Sequence, residues 1–349
     1  MRTPRSRLPK DFSLEEHLAA CAQAVEFYPE SCRGHWHAWS PAMCMSGTAG
    51  VAAWKAARSS ARHAACQAPA QNAGVMQPAG AGNGAHGVFV RSDTCGPGAS
   101  DAFGNFNPIR DFSQKTWNRV ILDLGCGKGE YTVAVANLHP NVLFVGLDVE
   151  EICVMRAAEL AVAEGVTNAV FIYADDPDLR ELFGPGELDG ILMNFPTPFP
   201  KKKKAHLRLT YLDRLMAYRE ILAPGASLRL RTDSLPFRDF SLTQLEIAGY
   251  DLRWSSDDVR AMFPDEPMSA YESKLTAQGA TACGFEAVPG PAPERVEQTA
   301  PLSLVSYLPE NIEDLDYVPH GMQGCVANMR GRRANRRAKG LPEWTRPIV

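Results

Sequence analysis

At 349 residues with a formal net charge of −4, the chain has no overall field to attract a polyanion, so an RNA partner would have to be met by local basic patches. No run approaches the roughly 20 apolar residues a bilayer crossing needs, and the amino terminus lacks the apolar core of a secretory signal, which predicts a soluble cytoplasmic protein with no membrane partner. Nine cysteines without a CxxC pair fit reduced thiols, and the one tight Cys/His cluster, Cys32, His35 and His37, offers too few ligands for zinc, so no metal is expected.

Residues 1–40 carry a helical pattern over Leu14 to Phe27, opened by Ser13 as N-cap with Glu16 three residues on. It reads as a helical cap on the main domain. Residues 41–112 drift into Ala, Gly, Pro, Gln and Ser, too poor in large apolar side chains to bury a core, and are expected to form a disordered insertion with a short basic helix over Val51 to His63. From 113 to 288 strands alternate with helices, the pattern of a doubly wound α/β sheet. Strands are expected at Arg119–Leu124, Val142–Leu147, Ala169–Tyr173, Leu188–Leu192, Ser227–Arg231, Asp251–Trp254 and Ala282–Val288. Helices are expected at Glu130–Leu138, Glu151–Glu164, Tyr211–Leu222 and Pro236–Ala248. Beyond Pro289 the alternation stops, leaving a Pro-rich and then basic extension over 289–349.

The loop after the first strand, Asp123-Leu124-Gly125-Cys126-Gly127-Lys128-Gly129, has glycines at alternate positions. They let the backbone turn tightly into a helix and approach a ligand, while the helix start offers free N–H groups. The spacing is GxGxG, which suits S-adenosylmethionine better than a dinucleotide. Asp123 would accept from its ammonium group, Asp148 at the end of the second strand from both ribose hydroxyls, and Asp175 after the third would border the adenine. After the fourth strand comes Asn194-Phe195-Pro196-Thr197-Pro198-Phe199-Pro200 and then Lys201 to Lys204. This pairs aromatic rings on which a base can stack with a block of positive charge.

These residues resemble the bacterial tRNA (guanine-N7-)-methyltransferases. Members carry the strand-end acid and GxGxG loop, a second acid after strand two, and a segment close to N-F-[SP]-D-P-W-P-K-K-[RK]-H. The likeness continues through Arg208-Leu209-Thr210-Tyr211, Arg231-Thr232-Asp233-Ser234 in place of K-T-D-N, and Ser269-Ala270-Tyr271-Glu272 in place of T-x-Y-E. Pro29 to Trp36 is similar to a pre-domain motif of one branch. The resemblance implies a Rossmann-like class I methyltransferase fold, a seven-stranded mostly parallel sheet with helices on both faces, and methyl transfer from S-adenosylmethionine to N7 of guanine 46 in the tRNA variable loop. It further implies that Asp123, Gly125, Gly127, Asp148, Asp175 and Thr197 line the cofactor, that Lys201, Asp233, Ser269, Tyr271 and Glu272 face the tRNA, and that Thr197 and Asp233 stand at the reacting centre.

Three positions depart from the family: Thr197 replaces its aspartate, Phe199 its tryptophan and Ser269 its threonine. Losing a charge-assisted hydrogen bond at position 197 costs roughly 1–2 kcal/mol, about tenfold in rate, if the contact persists. A non-catalytic relative that binds cofactor and RNA is therefore the alternative to an enzyme. A small-molecule methyltransferase would leave the lysine block and the arginines at 330–339 without a role. Those arginines read as an auxiliary tRNA clamp or a solvated tail. Nothing in the sequence sets an oligomeric state.

Overall fold

The computed structural model describes residues 12–44, 51, 112, 116–315 and 317–342. Almost all of the expected Ala/Gly-rich insertion, including all of the helix expected over Val51 to His63 except Val51 itself, lies outside the described residues. The sheet has seven strands, β1 (Arg119–Leu124), β2 (Val142–Asp148), β3 (Ala169–Tyr173), β4 (Leu188–Asn194), β5 (Leu222–Thr232), β6 (Tyr250–Ser256) and β7 (Cys283–Pro289), in the order β3-β2-β1-β4-β5-β7-β6. Only β7 runs against its neighbours. Helices follow in chain order: α1 (Leu14–Ala20), α2 (Glu130–Leu138), α3 (Glu151–Ala163), α4 (Leu179–Leu182), α5 (Leu212–Ile221), α6 (Leu235–Ile247), α7 (Val259–Met262), α8 (Ala270–Thr276) and α9 (Gln323–Ala338).

The central strands are apolar on both faces, as a covered parallel sheet requires: every residue of β1 after Arg119 is buried. In-register pairing sets Ile121 against Phe144 on one side and Gly190 on the other. The chain order reverses between β1 and β4, so a crevice opens beyond their carboxyl ends. The loops after β1, β4 and β5 all meet this crevice.

Three elements differ from the sequence expectation. Ser13 Oγ does cap the first helix, accepting from Glu16 N at 3.2 Å, but α1 stops at Ala20. The chain then straightens so that Val25 bridges Phe171 on β3 and Glu26 N donates to Phe171 O, extending the sheet edge with a β-branched residue where a helix was expected. Strand β5 starts five residues early, at Leu222, with a register shift against β4 between Leu188 and Gly190 that absorbs Pro224 and Gly225.

The third difference is the largest. The extension after Pro289 packs into the same core as the central strands: Leu304, Leu308, Ile312, Met322, Val326 and Met329 are buried there. Burying Leu304, Leu308, Ile312 and Met322 contributes on the order of 6–12 kcal/mol at about 1.5–3 kcal/mol per side chain. In α9 the inner face is Val326, Met329 and Arg333. Arg333 pairs with Glu313 at 2.6 Å, and Arg330 donates to the carbonyl of Ile312. This basic segment is thus a docked helix with an arginine face turned outward.

Candidate functional site

The glycine loop is tied to β2 by Gly125 N and Cys126 N, which both donate to Leu147 O. Gly129, at φ 75° just before α2, admits no side chain, because a Cβ there would lie 2.5 Å from that of Ala157. Gly125 and Gly127 also have positive φ, yet a Cβ on either would meet nothing within 4 Å. Their bare backbone faces open space at the crevice.

Asp148, the last residue of β2, holds this loop: its carboxylate accepts from Gly127 N and Glu150 N, each at 2.9 Å. Burial pushes its carboxyl above the ordinary value, against the lowering pull of those two bonds. Asp123 is 1 % exposed and accepts from Thr132 Oγ1 at 2.6 Å and Asn194 Nδ2 at 3.3 Å. Burial raises its pKa to about 6, with the two hydrogen bonds opposing. Asp175 is exposed in the turn after β3. Its neighbour Asp176 is held at φ 55° and pairs with Arg214 at 2.5 Å.

After β4 the chain makes two unusual bends, with Phe195 at φ 51° and Phe199 at φ 41°. Neither is glycine, so each conformation costs energy that the surroundings must supply. Phe195 N is fixed by Arg231 O at 2.7 Å. Arg208, fully buried, donates to the carbonyls of Pro198 and Phe199 and stacks 4.2 Å over the ring of Phe240. Burial lowers its pKa to about 10, so it remains a cation at neutral pH. Thr197 is exposed in this loop, and Lys201 to Lys204 are exposed beyond it, Lys204 lying 5.9 Å from the Phe199 ring centre.

Across the crevice, Ser269 Oγ caps α8 by accepting from Glu272 N, and Ala270 N donates to Glu130 Oε2 at 2.7 Å. That bond joins the expected tRNA-side motif to the residue following the glycine loop. The ring of Tyr271, 41 % exposed, meets Phe195 edge-on at 6.0 Å and His320 at 6.2 Å. Glu272, by contrast, is 3 % exposed and takes 2.7 Å bonds from both Arg231 and Arg260. Its carboxylate is committed inside the protein, so the expectation that it faces RNA is not what its surroundings favour. Asp233, just after β5, is 9 % exposed, and its Oδ2 accepts from Tyr317 Oη at 2.7 Å and His320 N at 2.8 Å.

The other cluster singled out in the sequence has structural partners. The Cys32 Sγ–H points at Glu26, His35 stacks on Phe112, and His37 contacts the carbonyls of Trp117 and Glu187. A shallow depression lined by Asp176, Arg180, His206, Arg214 and Tyr218 lies between the β3 turn and the lysine turn. It contains none of the expected site residues, most of which lie on loops at the carboxyl ends of the strands. Sequence reasoning missed Asn194 and Glu130 as connectors, although both lay inside quoted or adjacent motifs. It also missed Tyr317 and His320, whose segment carries no motif.

Fold and site together define a class I methyltransferase: a doubly wound sheet with an antiparallel seventh strand, and a glycine loop with strand-end acids at the switch point. A family profile described as "Putative methyltransferase" matches residues 117–284. The tRNA (guanine-N(7)-)-methyltransferase of Geobacillus kaustophilus is 34% identical over 171 residues, 49% of this chain and 79% of the relative. Those of Brevibacillus brevis and Lactococcus lactis are each 30% identical, covering 51% and 54% of this chain and 79% and 83% of their own lengths. The chain belongs to the tRNA (guanine-N(7)-)-methyltransferase family. Among solved structures, the 16S rRNA methyltransferase KamB aligns over 50% of this chain and 90% of its own, at 17% identity and a TM-score of 0.40, a likeness too slight to bear on residue roles. Among the described residues no helix is long and apolar enough to cross a membrane.

Proposed function

We propose that the protein transfers a methyl group from S-adenosylmethionine to N7 of a guanine in tRNA, with guanine 46 of the variable loop as the target that the family resemblance implies. The observation that carries this reading is the Ala270–Glu130 hydrogen bond, because it joins the Ser269–Glu272 motif to the end of the glycine loop, while the edge-on contact of Tyr271 with Phe195 adds the loop after β4. The residues fit such a donor. Open space beyond Gly125 and Gly127 suits close approach of a ligand, and Asp123, Asp148 and Asp175 stand at three successive strand ends.

When bound, the cofactor would supply an electrophilic methyl carbon on a sulfonium. Guanine N7 offers an in-plane lone pair and no proton, so the protein needs no base there, only in-line placement and stabilisation of the charge that spreads over the ring. As that charge develops, N1–H and N2–H become better donors. Asp233 is assigned to that edge, Tyr271 and Phe195 to the flat faces of the base, and Lys201 to the backbone. Glu272 is assigned a structural role, as the shared anion of Arg231 and Arg260.

Thr197 occupies the position of the family's acid. Incubating the full chain with labelled S-adenosylmethionine and unmodified tRNA, then digesting, is expected to yield 7-methylguanosine. Thr197→Asp is expected to raise the rate about tenfold by restoring a charge-assisted acceptor. Product only from the variant would replace this reading with that of a non-catalytic relative.

The basic surface has its own signature. Lys201 lies close enough to offset part of the burial-driven rise in the Cys325 thiol pKa, so the lysine turn and the start of α9 are neighbours. Exposed Arg332 and Lys339 extend that surface. Replacing both with Gln should weaken tRNA binding without regard to sequence and reduce the slope of log affinity against log salt by about 1–2. An unchanged slope would remove α9 from the binding surface.

A further inference from the structure

The residues matched by the family profile end at 284, yet the carboxylate assigned to the guanine edge is held by a segment more than thirty residues further on (317–320). Both donors, Tyr317 Oη and His320 N, go to Oδ2 of Asp233. Among the described residues Oδ1 accepts no hydrogen bond. We propose that Tyr317 is a positioning residue: it fixes the rotation of the Asp233 carboxylate so that Oδ1 is the oxygen presented to the Watson–Crick edge of the target guanine. This rests on the reading of the site given above and extends it to a residue outside the family motifs.

Four features support a fixed strap here. On one side of the contact, Leu304, Leu308 and Ile312 are buried in the core, and on the other so are Met322, Val326 and Met329. Ser234, next to Asp233, donates to Met322 Sδ at 3.4 Å. Gly321 lies against Pro198, which a Cβ at 321 would meet at 3.5 Å. His320 stands edge-on to Tyr271. The turn at 317–322 thus touches the loop after β4, the residues after β5 and the ring at the start of α8. A flap that swung away on binding would be anchored on one side only; this one is anchored on both.

Tyr317 is also suited to being a permanent donor. Burial, and then the adjacent Asp233 carboxylate, raise its phenol pKa well above the ordinary value, so the hydroxyl keeps its proton at any working pH. A carboxylate with two donors on one oxygen cannot rotate freely, and the second oxygen's direction is set before substrate arrives. Without the phenol, Asp233 would hold only the His320 N–H and could swing out of line.

The test compares tRNA carrying guanosine at the target position with tRNA carrying inosine there, which keeps N1–H and N7 but lacks the N2 amine. In the wild-type chain kcat/KM should favour guanosine, and Tyr317→Phe should reduce that preference about five- to tenfold, lowering kcat with KM for tRNA little changed. Since both substrates are run on one preparation, a smaller active fraction cancels in the ratio. Tyr307→Phe, elsewhere in the same extension, should leave the ratio as it is. In an Asp233→Asn background, Tyr317→Phe should have no further effect on the ratio, because the residue acts through Asp233. An unchanged ratio in Tyr317→Phe, or an additive effect in the Asp233→Asn background, overturns the inference while leaving the methyl transfer reading intact. Absence of 7-methylguanosine from the wild-type reaction overturns that reading, and the inference with it.

Discussion

Lowering the pH from 7 to 5 should weaken S-adenosylmethionine binding about tenfold, with the change centred near pH 6. The cause is Asp123, whose carboxyl burial raises from the ordinary 3.8 to about 6, against the hydrogen bonds from Thr132 and Asn194. If Asp123 takes the cofactor's ammonium, as its place at the end of β1 leads us to expect, only its ionised form can pair there, so each pH unit below 6 costs about a factor of ten. Asp123→Asn should lose this dependence and bind the cofactor at least 100-fold more weakly at pH 7, as measured by calorimetry. A wild-type affinity that stays flat between pH 5 and 7 would detach Asp123 from the ammonium.

The same residue works against the empty protein's stability. Its folded pKa lies above its unfolded value, so its favourable contribution is complete below about 3.8 and is lost as pH rises through about 6. At pH 7 the buried anion therefore costs roughly 3 kcal/mol compared with its neutral form. Asp123→Asn should make the ligand-free protein more stable at pH 7 and flatten its stability between pH 4 and 6. One substitution would then raise stability and abolish binding, a combination expected where strain is held for function.

The second large effect is at Glu272. Replacing it with Gln keeps the shape but leaves Arg231, 1 % exposed, and Arg260 without their shared anion. Breaking one partner out of a buried ionic cluster typically costs about 3–5 kcal/mol, which lowers the melting temperature by roughly 10 °C. Glu266 still pairs with Arg231 at 3.0 Å, so the lower end of that range is expected. Thermal unfolding of the ligand-free protein reads this directly. An unchanged melting temperature with tRNA binding lost would return Glu272 to the substrate side of the crevice.

How far the sequence disclosed this molecule depends on the distance over which each interaction acts. Strands β1 to β4 were legible because a doubly covered strand must be apolar throughout, and Val120-Ile121-Leu122 or Val142 to Leu147 leave little else to build. The glycine loop was legible for a local reason as well, since the backbone turn and the following helix lie within a few residues. The fate of α9 was not. Its Val326 and Met329 are diluted by arginines and by Gly324 and Gly331, so the composition suggests a solvated tail until a partner surface is supplied. Glu272 and Asp233 resisted for the same cause. Arg231 lies 41 residues from Glu272 and Tyr317 lies 84 from Asp233, and no local pattern announces which partner each acid will take.

The docked extension also bears on how the chain comes into being. Every motif shared with the family has been synthesised by residue 288, but Leu304, Ile312 and Met322 complete the core only later. Until they emerge, the nascent sheet has an unfinished apolar face beside α6 and an Asp233 without its phenol. The order of synthesis thus runs opposite to the order of recognition: the part that makes the chain identifiable comes first, and the part that fills its core and holds Asp233 comes after it.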